Sequence, residues 1–180
     1  ADSSGALVTA QIKKINGQSY GFDQYGKMLH GLYRIEFEEN GKTIRSAEEI
    51  ESVDQLPDEY EEGVYVYYFG DSPKEGAVKT GTATIEIDGD KYYYSFSKAG
   101  SKKGAGVDGV DGDSIFIKGR RIEADEGSKY QPVTYKDETY LVSTAGKLMK
   151  NKKNIKDSDD VYYKTDSKGR IVDSGDEKLD

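Results

Sequence analysis

A chain of 180 residues allows one or two domains, but Leu, Ile, Val and Phe make up under a fifth of it and the net charge is −8, a composition bordering on the disordered class. Its 15 tyrosines cluster beside β-branched residues and are bounded by Gly, Asp and Ser, which restores the reading of an ordered β protein with a thin, tyrosine-rich core. The absence of cysteine excludes disulfides and thiolate chemistry, a solitary His30 argues against zinc, no apolar run reaches the length of a membrane span, and an acidic chain without a basic stripe argues against nucleic acid.

The opening ADSSGALV has neither the basic n-region nor the apolar h-region of a signal peptide, so no targeting segment is expected in this chain. The stretch Ile15 to Ile35 then sets the pattern. Asn16-Gly17 supplies two residues suited to positive φ, which predicts a hairpin joining Ala10–Ile15 to Ser19–Phe22 with Tyr20 and Phe22 on one strand face. Asp23-Gln24-Tyr25-Gly26 reads as a second turn, acidic at its start and with glycine where a left-handed backbone is cheap. Met28, Leu29 and Leu32 add apolar mass around Gly31. Such a unit is too small to bury its own apolar face and calls for a stack of similar units.

Residues 36–63 form an acidic insertion. In it Ser46-Ala47-Glu48-Glu49 has the form of a capping box, and Ile50, Val53 and Leu56 follow at three-residue spacing, which predicts a short helical insertion near 46–56 that ends before Pro57. This segment reads as a solvated spacer or, alternatively, as a contact surface for a protein partner. The pattern returns at Tyr65 to Phe69, with Gly76 and Gly81 spaced like Gly26 and Gly31, and again in a hairpin over Asp88-Gly89 that joins Thr84–Ile87 to Tyr92–Phe96. Residues 107–127 are a divergent unit with a further hairpin over Lys118-Gly119. Its Asp108, Asp111 and Asp113 read as an acidic turn or, against the spacing of an EF-hand, as a calcium loop. Val133–Tyr135 and Tyr140–Val142 pair next, followed by a turn at Ser143 to Gly146, and Asn151 stands where the earlier units have their second glycine. A last unit runs from Asp160 to Val172, and the polar tail from Gly175 is expected to fray.

The turn glycines Gly26, Gly76, Gly100, Gly146 and Gly169 are separated by 50, 24, 46 and 23 residues. A period of about 24 residues fits these steps and predicts an all-β, elongated β-hairpin solenoid forming one repeat domain over 1–180, with repeats at 10–35, 64–106 and 128–173 and a tail at 174–180.

GFDQYGKMLHG, YYFGDSPKEGAVKTG, YYYSFSKAG and YLVSTAGKLMKN resemble the cell-wall-binding repeats, choline-binding-like or glucan-binding-like, of secreted Gram-positive surface proteins. The resemblance covers most of residues 10–173. It implies a hairpin solenoid outside the cell, without cofactor, metal or catalytic residues, that holds choline or a glycan of the cell-wall polymer between hairpins. The positions matching the family's aromatic pattern, together with Tyr33, are its candidate ligand contacts: Tyr20, Phe22, Met28, Tyr33, Tyr67, Tyr68, Phe69, Tyr93, Tyr94, Phe96, Tyr140 and Met149. The alternative for the same residues is core packing between hairpins. The chain departs from the family in having no tryptophan: Leu32 and Thr82 stand where the family places one, and Ser19 and Val66 replace the first aromatic of the strand. Recognition of a quaternary ammonium needs several aromatic faces, so the fold carries over better than the choline cage.

Three function classes follow. The first is a noncatalytic attachment module for cell-wall polymer. The second is a protein-interaction or spacer module using the acidic 36–62 segment. The third is a glycan-active enzyme, for which 34 carboxylates supply material but no local pattern marks an acid–base pair.

Overall fold

The computed structural model describes residues 7–70 and 75–180 and is all-β, with a single 3-10 turn as the only helical element among the described residues. The interior of the expected Gly70 to Gly76 turn lies outside the described residues. Backbone contacts divide the chain into two compact units, Ala1–Pro57 with Glu61–Val107 and Asp58–Tyr60 with Asp108–Asp180.

In the first unit, β1 (Gln11–Ile15) and β2 (Gln18–Phe22) form the expected hairpin, its corner made by Asn16 (φ 51°) and Gly17 (φ 84°). With β3 (Gly31–Phe37), β4 (Ile44–Glu49), β5 (Val64–Gly70) and β6 (Ala77–Val78) it builds a six-stranded sheet ordered β1-β2-β6-β5-β3-β4. The sheet curls until its edge strands meet. Gln11 bridges Thr43, and the Ile44 N–H donates to the Ala10 carbonyl at 2.7 Å. Inside the curl lie Leu29, Ile35, Ile44, Tyr67, Phe69 and Val78. On the outside, Leu32, Ile50 and Val66 pack against Ile85, Ile87, Tyr94 and Phe96 of a second hairpin, β7 (Gly81–Ile87) and β8 (Asp90–Phe96), turned by Asp88 (φ 53°) and Gly89 (φ 84°) as its sequence predicts. The continuous apolar run of β5, VYVYYFG, follows from this arrangement: both of its faces are covered, as in a central strand between two layers.

Two expectations are corrected here. Hairpins of this unit do not stack in chain order, because β5 pairs with β3 along Gly31↔Phe69 to Glu36↔Val64 and β6 inserts between β5 and β2. The free edge of β3 also recruits the acidic insertion, so Ser46 to Glu49 is strand β4 rather than helix. Cross-strand pairing decides this against local propensity: Arg34 faces Glu48, and the Ser46 hydroxyl donates to the Glu36 carboxylate. The capping geometry appears six residues later, where the Gln55 side-chain oxygen accepts from the Ser52 N–H at 3.0 Å over one 3-10 turn, Val53–Gln55. It ends before Pro57, as expected.

The second unit contains β9 (Gly109–Asp111), β10 (Ser114–Ile117) and β11 (Arg120–Arg121), with the β10–β11 corner at Lys118 (φ 50°) and Gly119 (φ 92°). The hairpin β12 (Tyr130–Tyr135) and β13 (Glu138–Ser143) follows, then the meander β14 (Lys153–Lys156), β15 (Tyr162–Thr165) and β16 (Ile171–Gly175). Ile115, Ile117, Ile122, Val133, Val142 and Leu148 form its core. The tail does not fray at Leu179: its N–H donates to the Asn154 side-chain oxygen at 2.6 Å, and its carbonyl accepts from the Asn154 amide at 3.0 Å.

One local structure does repeat, and it is the turn read at Asp23. Asp23, Asp157 and Asp166 each open a five-residue loop in which the side-chain oxygen accepts the N–H groups two and four residues on, and Ser143 does the same with its hydroxyl. The fourth residue has positive φ in every copy: Gly26, Gly146, Asp160 and Gly169. Each loop closes a strand pair, Phe22↔Met28, Val142↔Leu148, Lys156↔Tyr162 and Thr165↔Ile171. Asn151 also takes the left-handed conformation (φ 54°) predicted from its place opposite Gly31 in the repeat.

Asp157 has a second task in its loop, accepting the Tyr163 hydroxyl at 2.9 Å in a buried bond. Burial and, behind it, the Asp157 carboxylate push the Tyr163 phenol from its ordinary 10.0 up to about 12. A pKa raised on folding contributes stability in full below pH 10.0, and that contribution is lost as pH rises through about 12. Burial also raises the phenols of Tyr67, Tyr33 and Tyr135, so alkaline titration followed by phenolate absorbance is expected to show several late-ionising tyrosines, of which one moves to lower pH in Asp157→Asn. The amide keeps an acceptor for the loop but removes the charge.

Candidate functional site

The twelve candidate residues separate by burial. Tyr67, Phe69, Tyr94 and Phe96 are all at most 2% exposed and serve as core. Tyr67 stacks on Phe69 at 6.1 Å between centroids, Tyr33 meets Phe69 edge-on at 5.8 Å, and Tyr68 and Tyr94 both stack on Phe96. Tyr33 and Tyr68 are partly buried and pack against the cores that the other four enter. Tyr140 is half-buried against the core of the second unit, Met149 is half-buried, and Tyr93 stands exposed on β8.

Tyr20, Phe22 and Met28 are brought together. Alternation along β2 puts Tyr20 and Phe22 on its outer face, Ile15 lies on the same face of β1, and the five-residue loop at Asp23 folds Met28 back to bridge Phe22. With Asn16 these side chains line a shallow, mainly apolar hollow of about 230 Å³. An apolar hollow that also includes a tyrosine and an asparagine suits the face of a neutral sugar ring, which offers C–H groups on one side and hydroxyls around its edge.

Other aromatic faces already hold a cation from the chain itself. In the first unit Lys102 Nζ sits 4.4 Å from the Phe37 ring centroid and 5.7 Å from that of Tyr65, and donates to the Gly41 carbonyl. In the second, Lys118 and Lys136 lie 4.4 and 4.9 Å from the Tyr60 centroid. Tyr60 meets Tyr135 edge-on at 5.4 Å, and Lys118 pairs with Asp108 at 3.1 Å. At these rings the cation is a lysine of the chain itself. Sequence reading missed both clusters, because Lys102 and Phe37, and Lys118 and Tyr60, are far apart in the chain.

Two aspartates of the acidic turn have lysine partners. Asp108 is engaged by Lys118, and Asp113 lies 3.0 Å from Lys150, whose hydrogen bond and charge hold its carboxyl below the usual range. In the acidic insertion, Arg34 reaches Glu36 at 3.6 Å and Glu61 at 3.2 Å, so part of that charge is matched within the unit.

Together these features define an all-β chain with shallow surface hollows and tyrosine-lined cores. No protein-family model and no curated protein matches the sequence. Among solved structures it is similar to an alternansucrase in complex with isomaltononaose, with 20% sequence identity and a TM-score of 0.28, an alignment that covers 95% of this chain and 14% of that one.

Proposed function

We propose that the chain is a noncatalytic attachment module for a cell-wall or surface glycan, acting outside the cell and built from divergent choline-binding-like repeats whose choline cage has degenerated. The observation that carries this reading is the convergence of Tyr20, Phe22 and Met28 on one hollow with Ile15 and Asn16. Lysines over Phe37, Tyr65 and Tyr60 support a neutral sugar rather than choline as the ligand. The run from Tyr130 to Gly175, where hairpin follows hairpin and the Ser143 and Asp166 loops stand 23 residues apart, is the part that we read as hairpin-repeat solenoid. A sugar would lie on the Tyr20 ring with its C–H face, its hydroxyls meeting the Asn16 side chain and water, with no step of bond cleavage.

The test is co-sedimentation of the chain with purified Gram-positive cell walls, paired with titration of soluble glucans. Tyr20→Ala is expected to weaken binding by about 2- to 12-fold, the loss of one aromatic contact of roughly 0.5–1.5 kcal/mol. The half-buried position of Tyr20 makes the folded state tolerant of that change. If the parent chain stays in solution with every wall preparation and glucan, the attachment role fails; hydrolysis of any of them would replace it with an enzyme.

A further inference from the structure

The other face of the same β1–β2 hairpin carries a site of opposite character. Along its inner face Ile12 and Gly21 point into the first core, and the next directly opposed pair outward is Lys14 and Ser19. They meet Lys79 and Thr80, which leave β6 with the Lys79 N–H fixed to the Tyr68 carbonyl at 2.8 Å, and Lys103, whose N–H donates to the Gly100 carbonyl at 3.2 Å. With Gln18 these residues line a polar hollow of about 380 Å³ at the mouth of the curled sheet.

We propose that this hollow binds a single oxyanion group, a phosphate or sulfate, carried by a small molecule or a sugar. Three lysines converge on it in a chain of net charge −8, and no carboxylate among the described residues lies within 4.0 Å of any of their ammonium groups. Three like charges in one concavity repel one another and focus a positive potential that a bound anion relieves. The neutral donors complete the set: the Ser19 and Thr80 hydroxyls and the Gln18 amide can turn hydrogens toward an oxyanion, and lysine serves phosphate as a compact point charge. The net charge of −8 disfavours a long polyanion, most of whose length would lie outside the hollow.

The probes are inorganic phosphate, inorganic sulfate, a hexose phosphate and the parent hexose, each added at constant ionic strength with chloride as the balancing anion and followed by backbone amide NMR of the whole chain. The expected result is a saturable shift confined to residues around Gly17, Ser19 and Thr80, with an affinity on the order of 1 mM for phosphate. Lys14→Gln, Lys79→Gln and Lys103→Gln should each weaken it by about two- to fivefold, the range of an exposed ion pair. Lys91→Gln, on the rim of the β7–β8 hairpin, should leave it unchanged. Tighter binding of the hexose phosphate assigns the anion to a sugar, equal binding assigns it to the free ion, and both uphold the site. A shift that is spread over many lysines, equals that with chloride or survives the three substitutions overturns it. Binding of neutral glucan, read through Tyr20→Ala, is independent of these lysines, so either reading can fail alone.

Discussion

Phe69→Ala is expected to lower the stability of the first unit by about 3–5 kcal/mol, the range for emptying a buried aromatic site. The ring is 1% exposed and lies between Tyr33 and Tyr67, at the meeting of β5 with β3 and β6. On the β2 side it faces Gly21, where a Cβ would lie 2.6 Å from two atoms of the Phe69 ring and 3.1 Å from Leu29 Cδ1. Glycine is therefore placed in β2 by the ring it faces and not by a turn. Gly21→Ala alone should also destabilise, by about 1–3 kcal/mol, because the rigid ring must shift. In the Phe69→Ala background the same methyl enters the vacated space and its cost should fall toward zero or change sign. Denaturant unfolding of the four proteins closes a double-mutant cycle. Simple additivity would show that the ring and Gly21 do not share that space.

The features legible in the sequence are those whose cause is local. Asn16-Gly17, Asp88-Gly89 and Lys118-Gly119 each turn a hairpin with positive φ at both corner residues, and the Asp23 turn and Asn151 follow from the same backbone chemistry. Tyr20, Phe22 and Met28 were also within local reach, being joined by a two-residue alternation and one five-residue loop. What the sequence hid depends on partners distant in the chain. Ser46 to Glu49 has the signature of a helix start, yet the open edge of β3 offers a ladder in which Arg34 stands opposite Glu48, and Arg45 and the Ser46 hydroxyl both reach the Glu36 carboxylate across it. The repeat spacing suggested stacked hairpins, whereas the apolar character of both faces of β5 drives it to the centre of a curled sheet. Tyr67 and Phe69 looked like ligand contacts because an aromatic at strand spacing carries no mark of which face will be covered. Lys14, Lys79 and Lys103 carry no motif at all, and only the curl brings them to one mouth.

The loop that delivers Lys103 supplies the second large effect. Gly100 and Gly104 both hold left-handed backbone there, at φ 94° and 93°, but their surroundings differ. Nothing lies within 4 Å of a Cβ built on Gly100, whereas one on Gly104 would overlap the Val78 side chain and stand 3.5 Å from a Tyr67 ring carbon. Gly100→Ala should therefore cost only the backbone penalty, about 1–2 kcal/mol. Gly104→Ala adds overpacking of about 1–3 kcal/mol against a core already closed by Val78 and Tyr67, giving roughly 2–5 kcal/mol in all. The two substitutions add the same methyl group to the same loop, so the difference in their denaturant midpoints at unchanged slope measures the steric part directly. Equal midpoints would mean that the loop moves off Val78 without cost. In that case Lys103 is not held at the mouth by packing, and phosphate binding should be as strong in Gly104→Ala as in the parent chain.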